Sequence, residues 1–185
     1  MTDGLEVRWV AADDPLLEPL VADLARDYDE RYEPTNGVPS SAELTRYPAS
    51  AFTAAEGGAF VALVEVAGDG SLRLLAGGAL KRGRPGPEGR PLGELKRMWT
   101  SPEHRRRGLA GRVLAELEHR AADLGYTGLE LTTGARQPEA VALYLRHGWT
   151  PDFDLDDDWE AVSYLRFTKG APTKRAPTRP APARR

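Results

Sequence analysis

Seven residues, Arg105-Arg106-Arg107-Gly108-Leu109-Ala110-Gly111, combine the side chains and the backbone freedom needed to hold an anion. Ahead of them, Leu92 to Thr100 (LGELKRMWT) reads as an extended strand. Behind them, Leu109, Val113, Leu114, Leu117, Ala121 and Leu124 recur at helical spacing and form one apolar stripe. A strand, a basic loop and a helix start together make an anion site, because the first amides of a helix lack partners and its dipole favours negative charge. Gly108 and Gly111, with small Ala110, would let a phosphate approach the main chain, and the three arginines would add bidentate donors. The group expected there is a pyrophosphate. Neither the dinucleotide glycine fingerprint nor the P-loop lysine motif is present.

The elements that must position this loop follow from the rest of the pattern. Leu5 to Val10 alternates as a strand, and Asp13 or Asp14 then caps a helix that has Pro15 near its start and runs to about Arg31. Residues 33–58 are rich in turn formers and read as loop, with one short helix from Ser41. Ala59 to Val66 and Leu72 to Lys81 form a hairpin around Gly68-Asp69-Gly70, and residues 82–90 are a flexible connection. Then come the Leu92 to Thr100 strand, a long helix over 104–124 ended by Gly125, and a buried strand from Thr127 to Thr133. A helix from Pro138 to His147, a strand from Trp149 and a last strand from Ala161 to Lys169 complete the chain. The order predicts an α+β sandwich: a mixed, mostly antiparallel sheet of six to seven strands with helices on both faces. Trp9 and Trp99 are expected in the core.

Length and composition narrow the class. The chain has 185 residues, which suits one domain with a real core. It has no cysteine, which excludes disulfides, thiolate metal sites and a cysteine nucleophile. His104, His119 and His147 lack metal-like spacing, so no metal is expected. No apolar run is long enough for a membrane span and the start lacks a signal-peptide pattern, so a cytoplasmic protein without a membrane partner is expected. The net charge is −3, yet residues 171–185 carry five basic side chains and no acid. We divide the chain into a domain over 1–169 and a basic Pro/Ala-rich tail over 170–185, read as a solvated, disordered extension in preference to a nucleic-acid contact.

Two motifs carry a resemblance. Arg105-x-x-Gly108-x-Ala110 resembles the coenzyme A pyrophosphate motif of the GNAT superfamily of N-acetyltransferases. Downstream, Gln137-x-x-Ala140-x-x-x-Tyr144-x-x-x-Gly148-Trp149 resembles the family's Asn-x-x-Ala-x-x-x-Tyr-x-x-x-Gly-aromatic segment, with Gln137 where many members have Asn. The element order is also that of the GNAT fold, over roughly residues 5–168.

The resemblance implies transfer of an acetyl group from acetyl-CoA, the expected cosubstrate, to an amine. It implies a splayed pair of central strands, Leu92–Thr100 and Thr127–Thr133, with the pantetheine arm added in the gap. Main-chain groups of Met98 and Thr100 would bond that arm, and an N–H near Met98 or Trp99 would face the thioester carbonyl as oxyanion donor. Arg105, Arg106, Arg107, Gly108, Leu109, Ala110 and Gly111 would hold the diphosphate, with Gln137, Ala140 and Tyr144 lining the cofactor from the next helix. Tyr144 is the candidate acid for the leaving thiolate, a phenol of reference pKa about 10 against a thiol near 8.5. Its structural alternative is packing beside Val141 and Leu145. Glu94, eleven residues before Arg105, is the candidate base. Strand parity would put it on one face with Lys96, Met98 and Thr100, unless a bulge intervenes; its alternative is an ion pair with Lys96 or Arg97.

For the acceptor, two acidic clusters with aromatics stand out, Asp27-Tyr28-Asp29-Glu30 and Asp152 to Trp159. They suit a small cationic amine, with Tyr28, Asp29 and Glu94 as the residues that bind it. A peptide or protein amine is the second reading. A non-catalytic acyl-CoA-binding module is a third. A homodimer is left open, since nothing in the sequence fixes an interface.

Overall fold

The computed structural model describes residues 4–162 and 164–172. Most of the tail therefore lies outside the described residues.

Period-two alternation in the second strand sets the layering. That strand, β2 (Ala59–Val66), is buried over its first six residues, so both of its faces must be covered. Val61 and Leu63 point into one core cluster, and Phe60, Ala62 and Val64 into another. Helix α1 (Glu18–Arg31) covers the second cluster with Leu20 and Leu24, preceded by a 3-10 turn over Pro15–Leu17 whose cap is Asp14. Helix α2 (Leu109–Asp123) covers the first with Val113, Leu114, Leu117 and Ala121. The α2 residues are those of the expected apolar stripe, and on α1 Val21 is exposed.

The sheet has seven strands. β1 (Leu5–Trp9), β2, β3 (Leu72–Pro85) and β4 (Pro91–Thr100) are successive antiparallel neighbours. β5 (Gly128–Gly134) joins β4 in parallel through α2, as a β-α-β crossover requires. Beyond it lie helix α3 (Pro138–Arg146), the two-residue strand β6 (Thr150–Pro151) and a short helix α4 (Trp159–Val162). The last strand, β7 (Tyr164–Lys169), inserts between β5 and β6.

Several expected boundaries move. The long helix begins at Leu109, not 104, because Arg106 and Gly108 have φ of 62° and 76°, which a right-handed helix cannot contain. Before them only a 3-10 turn forms, over Pro102–His104. β3 runs on to Pro85 through the supposed flexible connection, and the 33–58 segment holds three 3-10 turns (Ser40–Thr45, Ala49–Phe52 and Ala54–Glu56). Trp9 is not core: it is 46% exposed on the edge strand, with the Arg120 guanidinium 5.7 Å from its ring. Trp99 is buried as expected, its Nε1 donating to Asp23 Oδ2 at 3.2 Å.

Candidate functional site

The start of α2 is built as an open cradle. Gly108 is its N-cap and supplies no side-chain hydrogen bond, and no acid lies in the first turn. The first intrahelical bond runs from Arg112 N to Gly108 O at 3.2 Å, so the amides of Leu109, Ala110 and Gly111 have no acceptor in the helix. A Cβ placed on Gly108 would meet nothing within 4 Å; the glycine is there for its positive φ and leaves the approach clear. Arg105, Arg106 and Arg107 are all exposed around it. This arrangement fits a diphosphate. Gly111 serves a different contact, since a Cβ there would come within 2.5 Å of the His147 ring. Leu109 gives its side chain to the core.

Beside the cradle the sheet opens. Pairing of β4 with β5 runs from Leu92↔Gly128 to Leu95↔Leu131 and stops. Past that point β4 continues only with β3, to Thr100↔Ala76, and β5 only with β7, to Gly134↔Tyr164. The cause is a bulge. Lys96 opposes Ala79 and Trp99 opposes Gly77, so Arg97 and Met98 together face Gly78, and Arg97 takes φ 55°. An extra residue bends a strand away from its neighbour. A side chain on Gly78 would strike the Met98 sulfur at 2.7 Å, so glycine at that position makes room for the bulge.

The bulge also changes the expected facing. Glu94 and Lys96 lie on the α1 side of the sheet, but Met98 packs into the α2-side cluster while Trp99 enters the α1-side cluster. Glu94 therefore does not share a face with Met98 and Thr100. The Thr100 hydroxyl is buried without a hydrogen-bond partner.

Tyr144, on α3, belongs to the core cluster on the α2 side of the sheet. Its ring packs on Phe167 and Trp149, with centroids 5.4 and 6.1 Å away, and the residue is 5% exposed. Burial, aided by the nearby Tyr28 phenol, pushes its pKa far above the usual tyrosine value, so the hydroxyl stays protonated. Among the described residues that hydroxyl has no hydrogen-bond partner. Of its expected neighbours Val141 is buried beside it, whereas Leu145 faces solvent.

Glu94 sits in a chain of charges on the α1 side. Its carboxylate is 2.8 Å from Lys81 and 3.4 Å from Lys96, and Lys96 also reaches Glu43 at 3.0 Å. Burial opposes the Lys96 charge, but Glu94 and Glu43 outweigh it and raise its pKa. The Tyr47 ring faces both ammoniums, at 4.4 and 5.4 Å. Tyr28 is here too, its phenol pKa raised first by burial, against the pull of Lys96. Glu43, Tyr47 and Lys81 were not foreseen: their meeting depends on contacts between segments far apart in sequence. Of the two ion-pair partners expected for Glu94, Lys96 is found and Arg97 is not; Arg97 instead donates to the Leu44 carbonyl at 2.5 Å and lies 4.5 Å over the Phe52 ring.

The other candidates are engaged structurally. Asp29 accepts from the Ser41 amide at 2.8 Å, and Asp27 pairs with Arg31 at 2.9 Å. In the second acidic cluster Asp152 pairs with Arg166, while Asp154 and Asp158 each cap a backbone amide two residues on. Gln137 Oε1 accepts from Thr133 Oγ1 at 2.7 Å and Gly134 N at 3.2 Å, which ties the end of β5 to α3. Ala140 packs against the α2-side core. A cavity of about 620 Å³ lies elsewhere, between Pro15–Asp23 and the Ser101–His104 turn; neither Glu94 nor Tyr144 lines it. Among the described residues no group of three or more His, Asp or Glu side chains could hold a metal, and no helix is long and apolar enough to cross a membrane.

Comparison with known proteins agrees with this geometry. No curated protein matches the chain. Solved structures that share its fold include an acetyltransferase of the GNAT family from Staphylococcus aureus (TM-score 0.64, 12% identity, 90% of this chain and 99% of that one). Another is an acetyltransferase from Streptococcus agalactiae (0.62, 15%, 91% and 99%). A third is a GNAT superfamily phosphinothricin acetyltransferase from Sinorhizobium meliloti, solved with acetyl-CoA (0.59, 18%, 97% and 94%). The model of the Acetyltransferase (GNAT) family matches residues 17–149. With that match over most of its length, on the seven-stranded sheet that positions both motifs, the chain belongs to the GNAT acetyltransferase family, which takes its acyl group from acetyl-CoA.

Proposed function

We propose that the protein transfers the acetyl group of acetyl-CoA to the primary amine of a small acceptor, by direct attack within a ternary complex. One observation carries this reading: β4 and β5 part at Leu95↔Leu131, and Tyr144, on the next helix, keeps a protonated, unpartnered phenol, which in this reading faces the opening.

In this reading the diphosphate rests on the Leu109, Ala110 and Gly111 amides, with Arg105, Arg106 and Arg107 around it. The pantetheine arm follows the edge that β4 leaves unpaired, beside Met98 and Thr100, and Gln137 and Ala140 flank it. The acceptor approaches from the α1 side, past Tyr28, Asp29 and Glu94. A neutral amine attacks the thioester carbonyl, and the charge that develops on its oxygen is met by a backbone N–H at Met98 or Trp99. The amine proton leaves to Glu94, directly or through water. As the C–S bond breaks, Tyr144 gives the thiolate a hydrogen bond or its proton. Burial raises the phenol's pKa, so Tyr144 acts as a donor that is protonated at every ordinary pH.

Thiol release from acetyl-CoA, measured across a panel of amines, tests the assignment. Saturable release that needs both substrates supports it. Tight acetyl-CoA binding without release for any amine would instead identify a non-catalytic binding module.

A further inference from the structure

The α1-side wall of the opening is not the acidic surface that the sequence suggested. Both acidic clusters are largely spent on ion pairs and turn amides. The side chains that gather by β4 are two carboxylates, Glu43 and Glu94, and three cations, Lys81, Lys96 and Arg97. Lys81 and Lys96 are satisfied by the carboxylates. Arg97 is not: among the described residues its guanidinium has no carboxylate within ion-pair distance. Of its five N–H donors, one is seen bonded, to the Leu44 carbonyl. It is only partly exposed, and burial lowers its pKa, with Tyr28 and Glu43 acting in the other direction.

Its backbone points the same way. Arg97 is the bulge residue, held at φ 55° where glycine or asparagine would be at ease. Strain of this kind persists where a side chain must be aimed. The residue adjoins Met98, whose amide is a candidate oxyanion donor, and it feels Tyr28, the phenol that also acts on Tyr144.

Resting on the transferase reading above, we propose that the acceptor carries a carboxylate as well as its amine, an amino-acid-like zwitterion, and that Arg97 is the residue that receives the carboxylate. Glu43 and Glu94 face the amine end; Arg97 supplies the missing counter-charge at the other. A bidentate guanidinium–carboxylate contact also fixes the amine's direction of approach.

The test uses matched acceptors: amino acids, their carboxamides, and the corresponding decarboxylated amines, each assayed by thiol release with the full-length protein. The free acids should exceed their carboxylate-free partners in kcat/KM by tenfold or more. Arg97→Asn, chosen because asparagine tolerates positive φ, should bring that ratio to within about threefold of one, mainly through KM. Arg97→Lys should restore part of it. Equal rates for acids and carboxamides in the unmodified protein would overturn the proposal, and that result needs no variant to fold. So would an Arg97→Asn protein that loses activity on both members alike. Release with no amine of any kind would end the transferase reading and this one with it; release without carboxylate preference ends this one alone.

Discussion

Glu94 and Lys81 are direct cross-strand partners on β4 and β3, and their charged groups meet at 2.8 Å with only 15% and 12% of each side chain exposed. A pair so covered behaves unlike a surface salt bridge, because removing Lys81 leaves the covered Glu94 carboxylate with Lys96 alone. Lys81→Met should destabilise the fold by about 1–3 kcal/mol, readable in chemical denaturation. Glu94→Gln should lower kcat by roughly 10²-fold or more if Glu94 accepts the amine proton. A Glu94→Gln enzyme with normal turnover would reduce Glu94 to a structural partner of the two lysines.

Tyr144→Phe separates chemistry from packing. The ring contacts with Phe167 and Trp149 survive the change, and the hydroxyl leaves no partner behind. Stability should stay within about 0.5 kcal/mol and acetyl-CoA affinity should hold, while kcat falls by about 10²-fold or more. An unchanged rate would remove the acid assignment.

The two loop glycines should fail in different ways. Gly108→Ala meets open space but a positive φ, so it should cost about 1–2 kcal/mol in unfolding and weaken acetyl-CoA binding in calorimetry. Gly111→Ala drives a methyl into His147, so its cost, about 1–3 kcal/mol, should be steric. Converting His147 to Ala should relieve Gly111→Ala and leave Gly108→Ala unimproved.

Glu130, the register partner of Glu94 across β4 and β5, gives a pH test of stability. Burial opposes its charge, but bonds from Arg84 and Arg166 outweigh it and lower its pKa. A carboxylate whose folded pKa is depressed adds stability above its unfolded value and loses it as pH falls through the folded one. Glu130→Gln should therefore be less stable than the parent at neutral pH, with the gap closing below about pH 4.5. A gap that persists unchanged into acid would contradict this.

What could be read in advance was local. The β2–β3 hairpin, the stripe of α2 and the Arg105–Gly111 spacing were legible, because each depends on neighbours a few residues apart. The charge chain was hidden: Glu43, Tyr47, Lys81 and Lys96 come from three segments and meet only after the sheet forms. A bulge in this strand was allowed for, but its place at Arg97 was hidden, since no glycine marks its positive φ; a trace is Gly78 on the strand opposite. Trp9 misled because an aromatic in an alternating strand resembles core even when that strand lies at the sheet's edge.

The insertion of β7 between β5 and β6 has a consequence for biosynthesis. Phe167, against which the Tyr144 ring rests, belongs to β7, which leaves the ribosome after the six other strands of the sheet, and β5 keeps a bare flank until that strand arrives. A nascent chain halted before residue 164 would already own every loop residue for gripping the nucleotide end of its donor, yet would have nothing to brace the phenol. Competence for catalysis should thus wait until synthesis has passed the strand that wedges into the gap.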